Sequence, residues 1–407
     1  MINRIHNFSE IGKLNKVMLH RIGREIEALV PENFSRLLFD DIPYLEVARK
    51  EHDGFADILR ANGVEVVYYV DEATKALQDA RVRESFLKRF VAESPVSSET
   101  AAEAVLSYLH DLPVRDMVEK CIEGVKKSDM PSFQSDHFAD YISSYDPFFL
   151  EPLPNLYFTR DPGACVGEGI SIHHMSTHAR RRESLLLEYI FRFSPDFRTG
   201  GEEEWYHYDD AYSIEGGDVL VLNEKVVAVG LSERTTAAAI ECFAKNLLSN
   251  SGFRKVIVLD IPKARAFMHL DTVFTMVDYD KFTIHPEIEQ PLRLFEMTLE
   301  RGGRVRFSSM TDSLSNILKK TLKLPAVKLI KCGGDDRMAA QREQWNDGSN
   351  TLAIAPGKVV TYERNYVTND LLSKEGIEVL PIAGSEISRG RGGPRCMSFP
   401  INREDLP

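Results

Sequence analysis

Asp218-Val-Leu-Val-Leu-Asn-Glu-Lys-Val-Val-Ala-Val-Gly-Leu231 decides the fold, together with the 28 residues after it. Two apolar, β-branched runs, 218–222 and 226–231, flank Asn223-Glu-Lys225, which is the pattern of a hairpin. Residues 235–248 then carry apolar side chains at helical spacing. Ser251-Gly252 stops the helix, and Val256-Ile-Val-Leu259 returns as a strand. The unit is therefore two strands, a helix and a strand. A doubly wound sheet would alternate strand and helix one for one, so the extra hairpin strand argues against it.

Working outward, the same order recurs. Residues 351–355, 358–362, a helix over 367–374, Gly376 and a strand at 379–382 repeat it near the C-terminus. Residues 155–159 and 170–173, with a helix over 180–192, read as another copy, and residues 269–277, 282–284, 312–321 and 326–330 as a further one. At the N-terminus a strand at 14–20 and a helix over 45–62 precede Gly63 and a strand at 64–70. Five such units predict a closed α/β propeller with one unit per blade. No glycine occurs between Gly63 and Gly124, where Ala, Glu, Lys, Arg and Leu dominate, punctuated by Pro95 and Pro113. This predicts three or four helices over 72–128 as an inserted bundle, with residues 128–146 as an irregular return. The expected division is 1–71 and 147–407 for the propeller and 72–146 for the insertion.

Composition bounds the function. A chain of 407 residues, 43% hydrophobic and 28% charged, suits a globular protein with a large core. The net charge of -12 argues against a nucleic-acid or anionic-membrane surface and is compatible with a cationic ligand. Five cysteines, 121, 165, 242, 332 and 396, are odd in number, widely spaced and without a C-x-x-C pair. They make neither a disulfide framework nor a thiolate zinc site, so a reducing cytoplasm is expected. The first 17 residues hold no apolar core of a signal peptide, and no run of 18 apolar residues exists to span a membrane. Asn7 and Asn33 each begin an Asn-x-Ser triplet; without a secretory signal these are chance matches.

Several short stretches carry chemistry. Arg389-Gly-Arg-Gly-Gly-Pro-Arg-Cys396 places a thiol on a loop of special backbone angles, beside Arg391 and Arg395. Positive neighbours favour thiolate, the nucleophilic form. A small buried cysteine after a loop reads the same way. His269-Leu-Asp271 in an apolar strand would send an imidazole and a carboxylate to one face, as would a purely structural pair. Glu215-Gly-Gly-Asp218 sets an acid at a strand end next to a close backbone approach, or forms a solvated turn. Asp161, held extended by Pro162 and near Phe158, suits a cation, and Asn155 opens the same stretch. Arg180 and Arg234 sit at helix starts, where a guanidinium can grip a carboxylate with two parallel hydrogen bonds. His173, His174 and His178 share no face, so no metal site is expected there. Cys332-Gly-Gly-Asp-Asp336 and Asn346-Asp-Gly-Ser349 read as turns, and Glu202, Glu203 and Glu204 as a solvated loop. No phosphate-binding glycine motif is present.

One thiol among many acids is ill suited to a protease, since acids oppose thiolate; it makes sense when the substrate is a cation. The stretches 155–162, 213–218, 268–278 and 389–398 resemble the signatures of the bacterial arginine deiminase family, and the resemblance runs from Ser9-Glu-Ile-Gly12 to the C-terminus. It implies a pseudo-symmetric five-bladed α/β propeller, the pentein fold, with a helical insertion. It implies hydrolysis of L-arginine to L-citrulline and ammonia without a cofactor or metal. By the same resemblance Cys396 is the nucleophile, and His269 first protonates the leaving ammonia and then activates water. Asp161 and Asp271 hold the guanidinium, and Glu215 orients His269. Arg180, Arg234, Asn155 and Phe158 place the rest of the substrate, and Arg391 sits on the closing loop. A homodimer or larger homo-oligomer in arginine catabolism follows from the family as well. Agmatine deiminases, dimethylargininases and amidinotransferases share the Cys, His and acids, and a dead binding module or a cysteine peptidase stays open as an alternative. The acids oppose and the arginines favour thiolate, so the thiol is expected to rest neutral and ionise when the cation arrives.

Overall fold

The computed structural model describes residues 4–135, 137–142, 146–197, 204–264, 267–288 and 292–407. Four units repeat one connectivity. In the unit that opened the sequence reading, Val219–Asn223 pairs antiparallel with Val226–Leu231, the helix Ala237–Asn250 crosses over, and Lys255–Asp260 pairs parallel with Val226–Leu231. Thr236 caps the helix by accepting the Ala239 N–H, and Ile240, Phe243, Ala244 and Leu247 face the sheet. The same order is built by Gly163–Val166, Gly169–Ile172, helix His178–Phe193 and Glu204–Tyr206. It recurs in Phe274–Met276, Lys281–Ile284, helix Leu314–Leu322 and Lys328–Lys331. A fourth copy is Leu352–Ala355, Lys358–Tyr362, helix Tyr366–Lys374 and Glu378–Ile382.

The remaining blade is made from both ends of the chain. Leu14–Leu19 pairs parallel with Glu65–Tyr68 after the helix Leu45–Ala61, and the antiparallel place is filled by Phe399–Arg403. This pairing closes the ring. It also sets Cys396 three residues before a strand locked into the N-terminal blade.

The structure corrects four readings. Residues 155–159 are turns, not a strand: Leu156 and Phe158 donate N–H to the carbonyls of Leu153 and Asn155, and Arg160 donates to that of Cys396. His269 does not lie in a strand. A 3-10 turn, Leu270–Thr272, follows it, and the strand begins only at Phe274. The strand read at 64–70 ends at Tyr68, where its parallel partner ends, and Tyr69–Ala76 is helical with Asp71 and Glu72 in its first turn. Glu204 is not solvated: its side chain lies buried in ion pairs with Arg192 and His207. Glu202 and Glu203 lie outside the described residues.

Two features were not read at all. The hairpin Arg293–Leu299 and Val305–Met310 adds two strands to the sheet of the opening unit. The helices Tyr69–Ala76, Ala80–Ala92, Glu99–His110 and Val114–Glu123 have no core of their own. Their Phe86, Phe90, Val105 and Met117 share one core with Leu186 and Ile190 of the blade helix and with Phe399. The return segment contains a short helix, Phe138–Ile142, while residues 136 and 143–145 of it are outside the description. Among the described residues all five cysteines are free, and no helix is long and apolar enough to cross a membrane.

Candidate active site

The Cys396 loop owes its shape to its neighbours. Glu51, on the helix of the two-ended blade, accepts N–H bonds from Ser385, Glu386 and Ile387 at 2.7–2.9 Å. A Cβ at Gly392 would collide with the Phe158 ring and one at Gly390 with the Tyr157 hydroxyl, so these positions need glycine for space. Asn350 Oδ1 accepts the Cys396 N–H at 3.0 Å, and Asn350 Nδ2 donates to the Asp271 carbonyl at 3.1 Å. Cys396 Sγ lies 3.8 Å from Asp271 Oδ2. The thiol is buried.

Opposite it stands His269. Its Nε2 is 2.7 Å from Glu215 Oε2, and its Nδ1 is 3.7 Å from Asp161 Oδ1. Burial opposes its charge, but Asp161, the Glu215 hydrogen bond and Asp218 outweigh burial and raise it to about 9. Glu215 Oε1 accepts from Ser176 N and Oγ at 3.0 and 2.8 Å. Burial raises Glu215, yet the His269 hydrogen bond, Arg234 and Arg180 hold it well below the usual carboxylate range. His269 is therefore an imidazolium over a carboxylate at neutral pH.

Each aspartate is gripped by a buried arginine. Arg180 Nη1 donates to Asp161 Oδ2 at 2.6 Å, and Arg395 Nη1 donates to Asp271 Oδ2 at 2.7 Å. Asp161 Oδ1 and Asp271 Oδ1 have no hydrogen-bond partner among the described residues, although both are buried. An unsatisfied buried carboxylate oxygen costs about 1–3 kcal/mol, so the site is short of donors at two points next to the thiol.

The expected positive potential at Cys396 is not found. Arg395 spends its guanidinium on Glu10, Asp271 and the Val219 carbonyl. Burial, then Asp271, Asp161 and Asp347, push the thiol well above its ordinary value. Burial and the surrounding acids thus favour the neutral thiol over the thiolate.

One cavity is lined by Cys396, His269, Asp161, Asn155, Phe158, Arg180, Arg234 and Arg391, eight of the ten candidates. Glu215 and Asp271 stand behind it, against His269 and Cys396. The ten residues come from three of the repeating blades and the C-terminal loop. The free space is about 30 Å³, room for a water or two. Leu38, in the left-handed region at φ 62, closes it together with Arg391. The two covering segments are tied: Arg389 pairs with Asp41, and Tyr44 N donates to Glu386 at 2.8 Å.

Arg180 is not an open fork. Besides Asp161, its Nε and Nη2 bond Glu183 at 2.8–3.1 Å. Arg234 is less engaged, 4.0 Å from Glu215 Oε1 with its Nη2 3.8 Å from Met268 Sδ. Asn155 donates to the Leu37 carbonyl at 2.7 Å.

Among the described residues, Asp161, Glu215 and His269 offer ligand atoms within 4.8 Å of one another, so they could hold a cation. A metal would have to displace the His269 proton; a guanidinium would not. His173 bonds the Asp161 carbonyl and His174 that of Tyr208, so those histidines do not converge.

Sequence reasoning passed over three supports. Asp218 accepts from Ser232, Thr235 and the Leu270 N–H and so shapes the turn that presents His269 and Asp271. Glu10 backs Arg395, and Asn350 holds the Cys396 backbone. Asp218 was in plain view in the Glu-Gly-Gly-Asp stretch; Glu10 lies 385 residues from its partner and carries no local signal.

A family model described as arginine deiminase matches residues 35–403. An arginine deiminase of Bacillus cytotoxicus is 50% identical over 410 residues, covering all of both chains. One of Clostridium perfringens is 50% identical over 404 residues, covering 98% of each. Among solved structures, the amidinotransferase SxtG of Microseira wollei aligns with a TM-score of 0.53 at 15% identity, over 99% of this chain and 98% of that one. The Pseudomonas aeruginosa dimethylarginine dimethylaminohydrolase, solved with citrulline, aligns with a TM-score of 0.51 at 14% identity, over 95% of this chain and 99% of that one. These two show the pentein fold.

Proposed function

Because the chain belongs to the arginine deiminase family, we propose that it hydrolyses the guanidinium of L-arginine to L-citrulline and ammonia. The observation that carries this reading is the pair of unpartnered oxygens, Asp161 Oδ1 and Asp271 Oδ1, on the two aspartates whose charges reach the buried thiol. Both lack a donor, and a planar cation with several N–H groups supplies one to each.

The roles follow from position. A guanidinium about 4 Å from Cys396 interacts with a thiolate by about 4 kcal/mol at an effective dielectric of 20, enough to lower the thiol's pKa by about 3. Substrate entry therefore favours loss of the thiol proton to water, from a group that burial and the acids otherwise keep neutral. Cys396 Sγ attacks the guanidinium carbon, with Asp161 and Asp271 fixing the nitrogens. His269, charged at rest, gives its proton to the departing ammonia and leaves an S-alkylthiouronium. Neutral after that step, it takes a proton from a water whose oxygen bonds the thiouronium carbon; the C–S bond then breaks, the remaining O–H proton goes to the departing sulfur, and citrulline forms. Glu215 keeps the imidazole oriented and its charge stable. Arg234 is the open guanidinium for the substrate carboxylate. Arg180 can share it only by loosening its hold on Asp161 or Glu183. Asn155, Phe158 and Arg391 shape the space between.

On this reading residues 1–71 and 147–407 form the catalytic propeller and 72–146 an insertion on it. Five free cysteines support a reducing, cytoplasmic setting. A homo-oligomer in arginine catabolism is part of the same proposal.

Citrulline release by the wild type and by Cys396→Ala tests it, with agmatine, asymmetric dimethylarginine and a short peptide in parallel. Citrulline from arginine alone, abolished by the substitution, is the expected result. Equal turnover of agmatine would remove the carboxylate role of Arg234.

A further inference from the structure

One six-residue turn supports both ends of the nucleophile loop. At its far end Asn350 holds the Cys396 N–H and the Asp271 carbonyl. At its near end Trp345, the last residue of the helix Arg337–Trp345, lies against Arg391, whose guanidinium carbon is 3.6 Å from the ring centroid. Buried Asp347 lies between the two and acts on Arg391 through its charge, while Asp40 stands 3.9 Å away on the opposite covering segment.

Arg391 needs such support. Its φ of 62 is a left-handed conformation that a residue with a side chain adopts only when its surroundings impose it. Its side chain has four rotatable bonds and lines the cavity. Trp345, by contrast, is 54% exposed, so core packing does not account for its place. The ring that meets Arg391 is a surface ring, and a guanidinium over an aromatic face is an attractive contact.

We infer that Trp345 is a positioning residue: by stacking on Arg391 it fixes that guanidinium at the mouth of the cavity and thereby sets the affinity for the substrate. The inference rests on the deiminase reading for its substrate, but the contact itself does not. Without the ring, Arg391 loses one of the contacts that orient its guanidinium, and more of that ordering must be supplied when substrate binds. That cost falls on KM, because Arg391 is not among the groups that meet the reacting atoms.

Steady-state kinetics on L-arginine test this with Trp345→Ala and Trp345→Phe. The alanine variant is expected to raise KM about threefold, the size of a partly exposed cation–π contact, with kcat changed less than about twofold. The phenylalanine variant keeps an aromatic face and is expected to recover most of the loss. An unchanged KM in Trp345→Ala, or no recovery in Trp345→Phe, overturns the inference. A second readout needs no turnover. The chain has two tryptophans, and the other, Trp205, is buried with its Nε1–H donating to the Val166 carbonyl at 2.8 Å. Acrylamide quenching of fluorescence therefore reports Trp345. Arg391→Ala should uncover the ring and raise quenching; unchanged quenching sinks the stack. If the wild type converts no guanidino compound, the substrate reading fails on that ground, and quenching still decides whether Trp345 holds Arg391.

Discussion

Two buried networks flank the thiol, built alike and tuned in opposite directions. On one side Asp161 is held by Arg180, and Arg180 by Glu183. On the other Asp271 is held by Arg395, and Arg395 by Glu10. Each leaves one aspartate oxygen without a hydrogen-bond partner among the described residues. The outer glutamates differ. Burial raises Glu10, but Arg395, Arg160 and Arg403 surround it and bring it down to about 2. Burial also raises Glu183, Arg180 lowers it, and Asp161 and Glu215 add to the rise, which leaves it at about 7. The Glu10 network has cations in excess around its glutamate and is a fixed strut. The Glu183 network has acids in excess beside the cavity, and one of its members is poised to change charge near neutrality. Similar geometry thus yields a scaffold at one aspartate and an adjustable holder at the other.

The largest test of that contrast is stability. Arg395→Met should strand Glu10 and Asp271 without their cation and cost about 4 kcal/mol in urea unfolding, the scale of a broken buried ion pair. Arg180→Gln should cost less, about 2 kcal/mol near pH 6, because Glu183 can take up a proton. Its cost should grow at pH 8.5, where that proton is lost. Equal losses at both pH values would erase the distinction between strut and holder.

The next effect is on rate. His269 belongs to the Arg180 side, and its pKa of about 9 depends on Asp161 and Glu215. If, as proposed, the imidazolium gives a proton, kcat/KM should fall as pH rises through about 9. Glu215→Gln removes the anion 2.7 Å from Nε2, so the alkaline fall should begin about one pH unit lower, and kcat should drop by about 100-fold at its best pH. A pH profile that keeps its alkaline limb in place would separate His269 from proton delivery.

How far the sequence revealed this arrangement varied with the range of the interactions. The blade pattern was legible because a hairpin, a helix and a glycine stop are local, as in 218–259. The two-ended blade was not legible in the same way, since Leu14–Leu19 and Phe399–Arg403 meet only on closure. Residues 155–159 misled because an aromatic run fits a pleated surface, but its N–H groups are spent on turns and on the Cys396 loop. The same held at His269, where Asp218 captures the Leu270 N–H and bends the chain. Of the candidate site, ten residues were named through motifs and resemblance, and one cavity gathers eight of them. Their charges were harder to read. Arg395 looked like a neighbour that would ionise the thiol, and it is instead bound to Glu10 and Asp271. Adjacency in sequence says where a charge starts; only the folded partners say where it is spent.

The smallest expected effect falls on the outer glutamates and carries the contrast to its sign. Glu10 is lowered from 4.5 to about 2. It favours the folded state when ionised, so its contribution is present above pH 4.5 and is lost as pH falls toward 2. Glu183 is raised from 4.5 to about 7. It favours the folded state when protonated, so its contribution is present below pH 4.5 and is lost as pH rises through 7. Urea unfolding of Glu183→Gln at pH 5 and pH 8 should therefore lack a decline that the wild type shows, worth up to about 3 kcal/mol. Glu10→Gln should leave that decline intact and instead flatten the loss between pH 4.5 and pH 2, from a lower starting stability because three arginines lose an anion. If Glu183→Gln declines from pH 5 to pH 8 as the wild type does, the decline belongs to another group, and His269, raised to about 9, is the one at hand. The adjustable element would then lie at the reacting end of the network and not behind Arg180.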